Sequence, residues 1–231
     1  MRKISVLGDS ISTFEGYQPK DYAVYYNRIA QLYNGMADAE DTWWMQVIHY
    51  LDGELLVNDA YSGSRVSGKD FPSAACMERL RRLAPAGQIP DVILVYIGFN
   101  DFGYGVRIQQ YPGRTEDYDS FADSYDRLLK RLTALYPSSE IICGTLMKTV
   151  WKEHEDWVFP PHFEGEYNFE DYNQTIRETC ERYPVRLADL EKTGLRYETL
   201  DSTHGTAAGH KTIAQAWIQC LEAMRLNKCH G

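Results

Sequence analysis

No apolar run in the 231-residue chain approaches the ~20 residues a helix needs to cross a bilayer, so a membrane is not an expected partner. Cysteine is sparse and scattered. Cys76, Cys143, Cys180, Cys220 and Cys229 form no CxxC pair and show no metal-ligand spacing. An odd count of unpaired thiols speaks against a disulfide framework and against a structural zinc site. The start of the chain has no secretory character, because Met1-Arg2-Lys3 leads straight into the short run Ile4-Ser5-Val6-Leu7. Reduced thiols in a cytoplasmic protein are the expectation, with a processed secreted form as the alternative. Basic residues are outnumbered, 24 Lys and Arg against 33 Asp and Glu, for a net charge of −9, and no basic stripe is visible. Such a surface repels phosphate backbones, so nucleic acid is not an expected partner. Internal repeats, low-complexity segments and Pro/Ser-rich linkers are lacking as well, and one domain spanning 1–231 is expected. What is present is a balance of 44% hydrophobic and 25% charged residues, that of a chain able to bury a core.

Short apolar runs alternate with longer amphipathic ones. Strands are predicted at 3–7, 55–57, 91–97, 140–145 and 185–188; DVILVYI at 91–97 is apolar on both faces. Near-continuous apolar strands imply a sheet covered on both sides and therefore parallel. Helical spacing fits 42–51, 73–83, 120–136, 168–183 and 207–226, with Pro137 and Pro184 as stops. Strand and helix in alternation define an α/β fold.

Three stretches exceed a minimal design. Residues 14–41 carry Tyr17, Tyr22, Tyr25, Tyr26 and Tyr33. Residues 102–119 carry Tyr104, Tyr111 and Tyr118. Residues 148–167 carry Trp151, Trp157, Phe159, Phe163 and Tyr167. Long connections of this kind are either functional or small inserted elements. Phe14, Tyr17, Phe102, Trp151 and Trp157 are the candidate substrate-contacting rings, as sugar-stacking faces or walls for an acyl group. Satellite core under long loops is an equally good reading.

Ligands of open parallel sheets bind beyond the C-terminal ends of the strands. Gly8-Asp9-Ser10 follows the first strand, Asn58-Asp59-Ala60-Tyr61-Ser62-Gly63 the second, and Gly98-Phe99-Asn100-Asp101 the third. Asp201-Ser202-Thr203-His204 precedes the last helix. A hydroxyl, a glycine, an amide and an Asp/His pair are thus expected on one rim, and acyl transfer needs that set. Ser10 is a nucleophile once a base takes its proton, and His204 suits that task. Asp201 could hold the imidazole tautomer. Backbone N–H groups of Ser10 and Gly63 and the side-chain amide of Asn100 could receive an oxyanion.

These blocks, GDSIS, the glycine in NDAYSGSRV, GFND and DSTH, resemble in order and distance the four blocks of SGNH (GDSL-like) hydrolases. The resemblance implies a flavodoxin-like three-layer α/β/α sandwich with a five-stranded parallel sheet in the order 2-1-3-4-5. It also implies a Ser10–His204–Asp201 triad, an oxyanion hole of Ser10, Gly63 and Asn100, and no cofactor or metal. Many members have proline after the histidine; Gly205 stands here and is expected to loosen the loop that positions His204.

Each residue also has a bland reading. Gly8-Asp9-Ser10 alone is a turn, and Asn100-Asp101 alone a cap or Asx-turn. Asp9 is expected to order its loop and His210 to be structural. His154, Glu155, Asp156 and His162 fit a solvated loop better than a metal site. The expected activity is hydrolysis of a small acyl ester, with a small-molecule or carbohydrate ester as partner and acetyl on a sugar as one form. The alternatives are an acyltransferase with 148–167 as lid, and a non-catalytic carbohydrate-binding protein on the same fold.

Overall fold

The computed structural model describes residues 1–109, 112–113 and 118–228. Tyr111, Cys229 and His230 lie outside the described residues. In chain order the elements are β1 (Arg2–Gly8), α1 (Arg28–Tyr33), α2 (Trp43–Tyr50), β2 (Gly53–Ala60), α3 (Met77–Arg82), β3 (Val92–Tyr96), α4 (Phe99–Gly103), α5 (Phe121–Leu135), β4 (Glu140–Gly144), β5 (Thr149–Trp151), α6 (Phe169–Cys180), β6 (Arg186–Ala188), β7 (Tyr197–Thr199) and α7 (Ala207–Lys228). All five predicted strands form. They pair in parallel in the order β2-β1-β3-β4-β6, the doubly wound order that the motifs imply.

The central strand β3 explains why both faces must be covered, since each of its residues from Val92 to Tyr96 is buried. Burying a side chain of this kind contributes about 1.5–3 kcal/mol, so β3 alone draws helices onto both sides. On one side α2 packs on α7, with Trp43 stacked on Trp217 at 5.3 Å. On the other, α3, α5 and α6 lie together, and the Tyr136 hydroxyl after α5 donates to the Leu80 carbonyl of α3 at 2.6 Å. Ser120 caps α5 by accepting the Asp123 N–H, and at the start of α6 the Asp171 carboxylate accepts the Asn168 N–H at 2.7 Å. Among the described residues, no helix is long and apolar enough to cross a membrane.

Two local expectations change. The helix predicted at 73–83 begins only at Met77, because residues 73 and 74 bond elsewhere. Ser73 Oγ donates to the Val66 carbonyl and the Ala74 N–H to the Arg65 carbonyl, which ties this stretch to the loop after β2. The second change is an additional two-stranded parallel ladder of β5 and β7. Strands of three residues have no periodicity to read, yet this ladder carries the loop that holds His204.

Candidate active site

Ser10 opens a 3₁₀ turn, Ser10–Ser12, directly after β1. Asp9 caps the turn: its Oδ1 accepts the Ile11 N–H at 3.0 Å. The turn is fixed from two further sides. Asn58 at the end of β2 donates its amide to the Ser12 carbonyl at 2.9 Å, and Thr13 Oγ1 donates to the Ser10 carbonyl at 2.8 Å. Ser10 is 5% exposed.

His204 reaches it from the far end of the chain. Its Nε2 lies 2.9 Å from Ser10 Oγ, and its Nδ1 lies 2.7 Å from Asp201 Oδ2. The other carboxylate oxygen of Asp201 accepts the N–H groups of Thr203 and His204, at 3.0 and 2.7 Å. The bonds from His204 hold the Asp201 carboxyl well below the usual carboxylate range, more than offsetting partial burial, and the Tyr25 hydroxyl adds to them. Asp201 is therefore an anion facing Nδ1, which fixes Nδ1 as the protonated nitrogen and leaves Nε2 to accept from Ser10.

The loop carrying this pair is pinned rather than loosened at Gly205. Thr199 of β7 bridges to Gly205, and the Tyr26 hydroxyl donates to the Gly205 carbonyl at 2.9 Å. Thr149 Oγ1 donates to the Ser202 carbonyl, Trp151 Nε1 to the Leu200 carbonyl and the Tyr197 hydroxyl to the Thr203 carbonyl, at 2.9, 2.8 and 2.9 Å. Five hydrogen-bonded or bridged points along 199–205 replace the rigidity that a proline would supply.

Gly63 has φ +78°, and nothing lies within 4 Å of where its Cβ would be. Conformation rather than space demands glycine there. The loop around it is built by buried charge. Asp101 accepts the Val66 and Ser67 N–H groups at 2.7 and 2.9 Å, and Asn100 Nδ2 donates to the Ser64 carbonyl at 2.9 Å. Arg79, 0% exposed, pairs with the equally buried Asp59 at 3.2 Å. It also donates to the carbonyls of Gly8, Asp59 and Pro72 and to Ser64 Oγ. One guanidinium thus joins the end of β1, two residues before Ser10, to the residue after Gly63. Burial raises the Asp59 carboxyl, and Arg79 and the Tyr22 hydroxyl oppose that rise.

The aromatic candidates take several different environments. Phe102 is 0% exposed, inside a cluster with Phe159, Phe163 and Phe169, where no substrate reaches it. Phe14 is buried against Tyr17, and Tyr17 leans on Trp44. Trp151 secures the His204 loop, and Trp157 packs edge-on to Trp151 and Phe159. His154 lies against Trp151 with the two rings tilted by 50°, and no three metal-ligating side chains gather among the described residues. The groove that opens beside Asn100 and Thr203, about 400 Å³, is walled instead by Phe99, Tyr104, Phe163 and Glu164. Its two sides meet where Gly105 packs on the Glu164–Gly165 backbone; a Cβ on Gly105 would lie 2.3 Å from the Glu164 carbonyl oxygen. A larger depression of about 670 Å³ sits at the opposite rim, between Arg2, Asp91 and Glu140, far from this chemistry.

Two buried groups behind the site titrate in opposite senses. Burial pushes the Asp9 carboxyl up from 3.8 to about 7, against the bond from Ile11. Burial, then the charge of His204, pushes His210 down from 6.5 to about 3; its Nδ1 accepts the Trp43 N–H at 3.1 Å. The fold favours protonated Asp9, so that contribution is lost as pH rises from about 4 to 7. It favours neutral His210, so that contribution is lost as pH falls from about 6.5 to 3. Urea unfolding of Asp9→Asn and His210→Gln against pH should therefore give stability differences from wild type of opposite slope. Each slope should approach about 1.4 kcal/mol per pH unit at most. Differences that do not vary with pH would contradict both assignments.

A hydroxyl, an imidazole and a carboxylate in hydrogen-bonded series, on the C-terminal rim of a doubly wound parallel sheet, form the layout of a hydrolase. The chain belongs to the GDSL-like lipase/acylhydrolase family, whose model matches residues 2–156 and so spans Ser10, Gly63 and Asn100. Among solved structures, a GDSL-like lipase candidate from Bacteroides uniformis is similar at 26% identity, with a TM-score of 0.69 and 96% of each chain covered. One from Bacteroides ovatus has the same TM-score at 24% identity, covering 96% of this chain and 99% of that one. A carbohydrate esterase family 2 enzyme of Corynascus thermopiles, with its carbohydrate-binding domain, shares the fold at 15% identity and a TM-score of 0.55; 96% of this chain matches 66% of that one. No curated protein matches the sequence.

Proposed function

We propose that the protein is a carboxylic ester hydrolase that works through an acyl-enzyme at Ser10. The observation that carries this reading is the continuous series Ser10 Oγ to His204 Nε2 to Asp201, at 2.9 and 2.7 Å. Ser10 Oγ attacks the ester carbonyl carbon while its proton passes to Nε2. The tetrahedral oxyanion is received by the N–H groups of Ser10 and Gly63 and by the Asn100 amide, whose second N–H is not the one given to Ser64. The intermediate collapses, the C–O bond to the alcohol breaks, and Nε2 returns its proton to the departing oxygen. Water then attacks the acyl-serine with His204 again as base, releasing the acid and restoring the Ser10 hydroxyl. Asp201 stays ionised throughout and stabilises the imidazolium that forms twice per cycle.

The substrate we infer is a short acyl ester, with acetyl on a sugar as the favoured form. Ser10 lies below the surface, which suits a small acyl group. Tyr104 and Phe163, 60% and 39% exposed, offer ring faces beside the Glu164 carboxylate, a combination suited to a hydroxylated ring. The fold shared with a carbohydrate esterase is a likeness of architecture and adds nothing on substrate. Asp201, 40% exposed, leaves the site open to water, which favours hydrolysis over acyl transfer. The test is a series of p-nitrophenyl esters together with a fluorophosphonate probe. Acetate should turn over best, rates should fall as the acyl chain lengthens, and the probe should label the protein once. A wild type that neither labels nor cleaves any ester of the series would overturn the proposal.

A further inference from the structure

The mechanism leaves one intimate neighbour of His204 without a task. Tyr25 lies flat on the imidazole, with ring centroids 3.3 Å apart and planes 8° from parallel. Its hydroxyl donates to Asp201 Oδ2 at 2.8 Å, the same oxygen that His204 Nδ1 meets. We infer that Tyr25 is a positioning residue of the catalytic machinery, clamping the imidazole by its face and the carboxylate by its hydroxyl so that Nε2 stays aimed at Ser10. This inference rests on the ester-hydrolase reading.

The clamp is itself held firmly. The Tyr25 N–H donates to Thr13 Oγ1 at 3.0 Å, and that hydroxyl donates onward to the Ser10 carbonyl. Tyr26 packs edge-on to Tyr25 at 4.9 Å and anchors Gly205. Two residues before Tyr25, the Ala23 carbonyl accepts the Ser62 N–H at 2.8 Å. The segment 14–41 is thus bonded to the nucleophile turn, to the loop of Gly63 and to the loop of His204. Its only ring that touches both the base and its carboxylate is Tyr25. Burial and the adjacent Asp201 push the Tyr25 phenol upward, so it remains a donor at working pH.

An aromatic face also suits the imidazolium that appears after each proton transfer, because the ring's electron-rich face attracts a cation. The other groups around the imidazole do not duplicate this. Tyr26 meets it edge-on at 6.3 Å, His210 lies behind in a neutral state, and Ser10 and Asp201 act in the ring plane. The two contacts of Tyr25 can therefore be separated by substitution. Tyr25→Phe keeps the face and removes the donor; Tyr25→Leu removes both.

The experiment compares these variants with wild type on p-nitrophenyl acetate and by ¹⁵N spectroscopy of the histidine rings. Losing the hydroxyl should lower kcat about fivefold, the worth of one hydrogen bond. Losing the ring as well should lower it roughly 100-fold through misplacement of the base. KM should stay within about twofold in both, since neither contact is made to the substrate. In the spectra, His204 should hold one tautomer, protonated at Nδ1, in wild type and average between tautomers in Tyr25→Leu. A Leu variant with wild-type kcat and an unchanged His204 spectrum would overturn the inference. So would a loss confined to KM, which would make Tyr25 a substrate contact. Should wild type itself cleave no ester, the hydrolase reading fails by that result, and the spectra alone still decide whether Tyr25 orients His204.

Discussion

Ser10→Ala is expected to lower kcat for p-nitrophenyl acetate by roughly 10⁴–10⁶-fold and to abolish fluorophosphonate labelling, while leaving the unfolding midpoint close to that of wild type. The size follows from the division of labour at the site. On the proposed mechanism, loss of the hydroxyl removes the covalent intermediate, and the amide donors can then only polarise an ester toward water, a modest residual effect. The small effect on stability follows from the surroundings. Ser10 Oγ meets His204 Nε2, a part-buried nitrogen that water can reach once the hydroxyl is gone, and alanine leaves the backbone bonds of the 3₁₀ turn intact. His204→Ala should produce a loss of similar size, and the double variant should be no worse than either single one, because the two act as a unit. Hydrolysis surviving above a tenth of the wild-type rate in Ser10→Ala would place the nucleophile elsewhere.

Arg79→Met should be the most destabilising single change near the site, at about 3–5 kcal/mol, because it leaves the Asp59 carboxylate buried without its cation. Methionine fills much of the same volume, so the cost comes from electrostatics and lost donors rather than from a cavity. Four acceptors lose a partner together: the carbonyls of Gly8, Asp59 and Pro72, and Ser64 Oγ. Gly8 leads into Ser10 and Ser64 follows Gly63, so activity should fall beyond what the unfolded fraction explains. Adding Asp59→Asn should restore part of the stability, since the orphaned charge is then removed, but not the activity. Chemical denaturation of the single and double variants measures the first effect, and kcat per folded molecule the second. A cost below about 1 kcal/mol would mean that water or a rearranged side chain replaces Arg79.

Three parts of this site could be read in the sequence because each sits directly after a predicted strand. Ser10, Gly63 and Asn100 follow β1, β2 and β3, where short motifs and apolar runs occur together. Asp201 and His204 could be read because they lie next to the closing helix. Tyr25 and Arg79 had no such marker. Tyr25 was one of five tyrosines in a long connection, and its role depends on meeting a residue 179 positions away, the distance from 25 to 204. Arg79 is an ordinary charge on a helical pattern until the fold buries it on Asp59. Which aromatic rings face a groove was hidden for a related reason. A ring that closes a cluster beneath a loop, such as Phe102 in α4, and a ring that faces a groove, such as Tyr104 just after α4, stand only two residues apart. Sequence supplies the amount of aromatic surface, whereas the packing of 148–167 decides which part of it stays open.

The β5–β7 ladder makes the region modular. Its stem holds the turn with His204, while the chain leaving β5 travels on to supply Phe163 and Glu164 to the groove. Insertions or exchanges grafted between those two stations would remodel what is recognised without passing through the machinery that reacts. Divergence of specificity by loop replacement, in the laboratory or in evolution, therefore has a natural point of entry in this molecule.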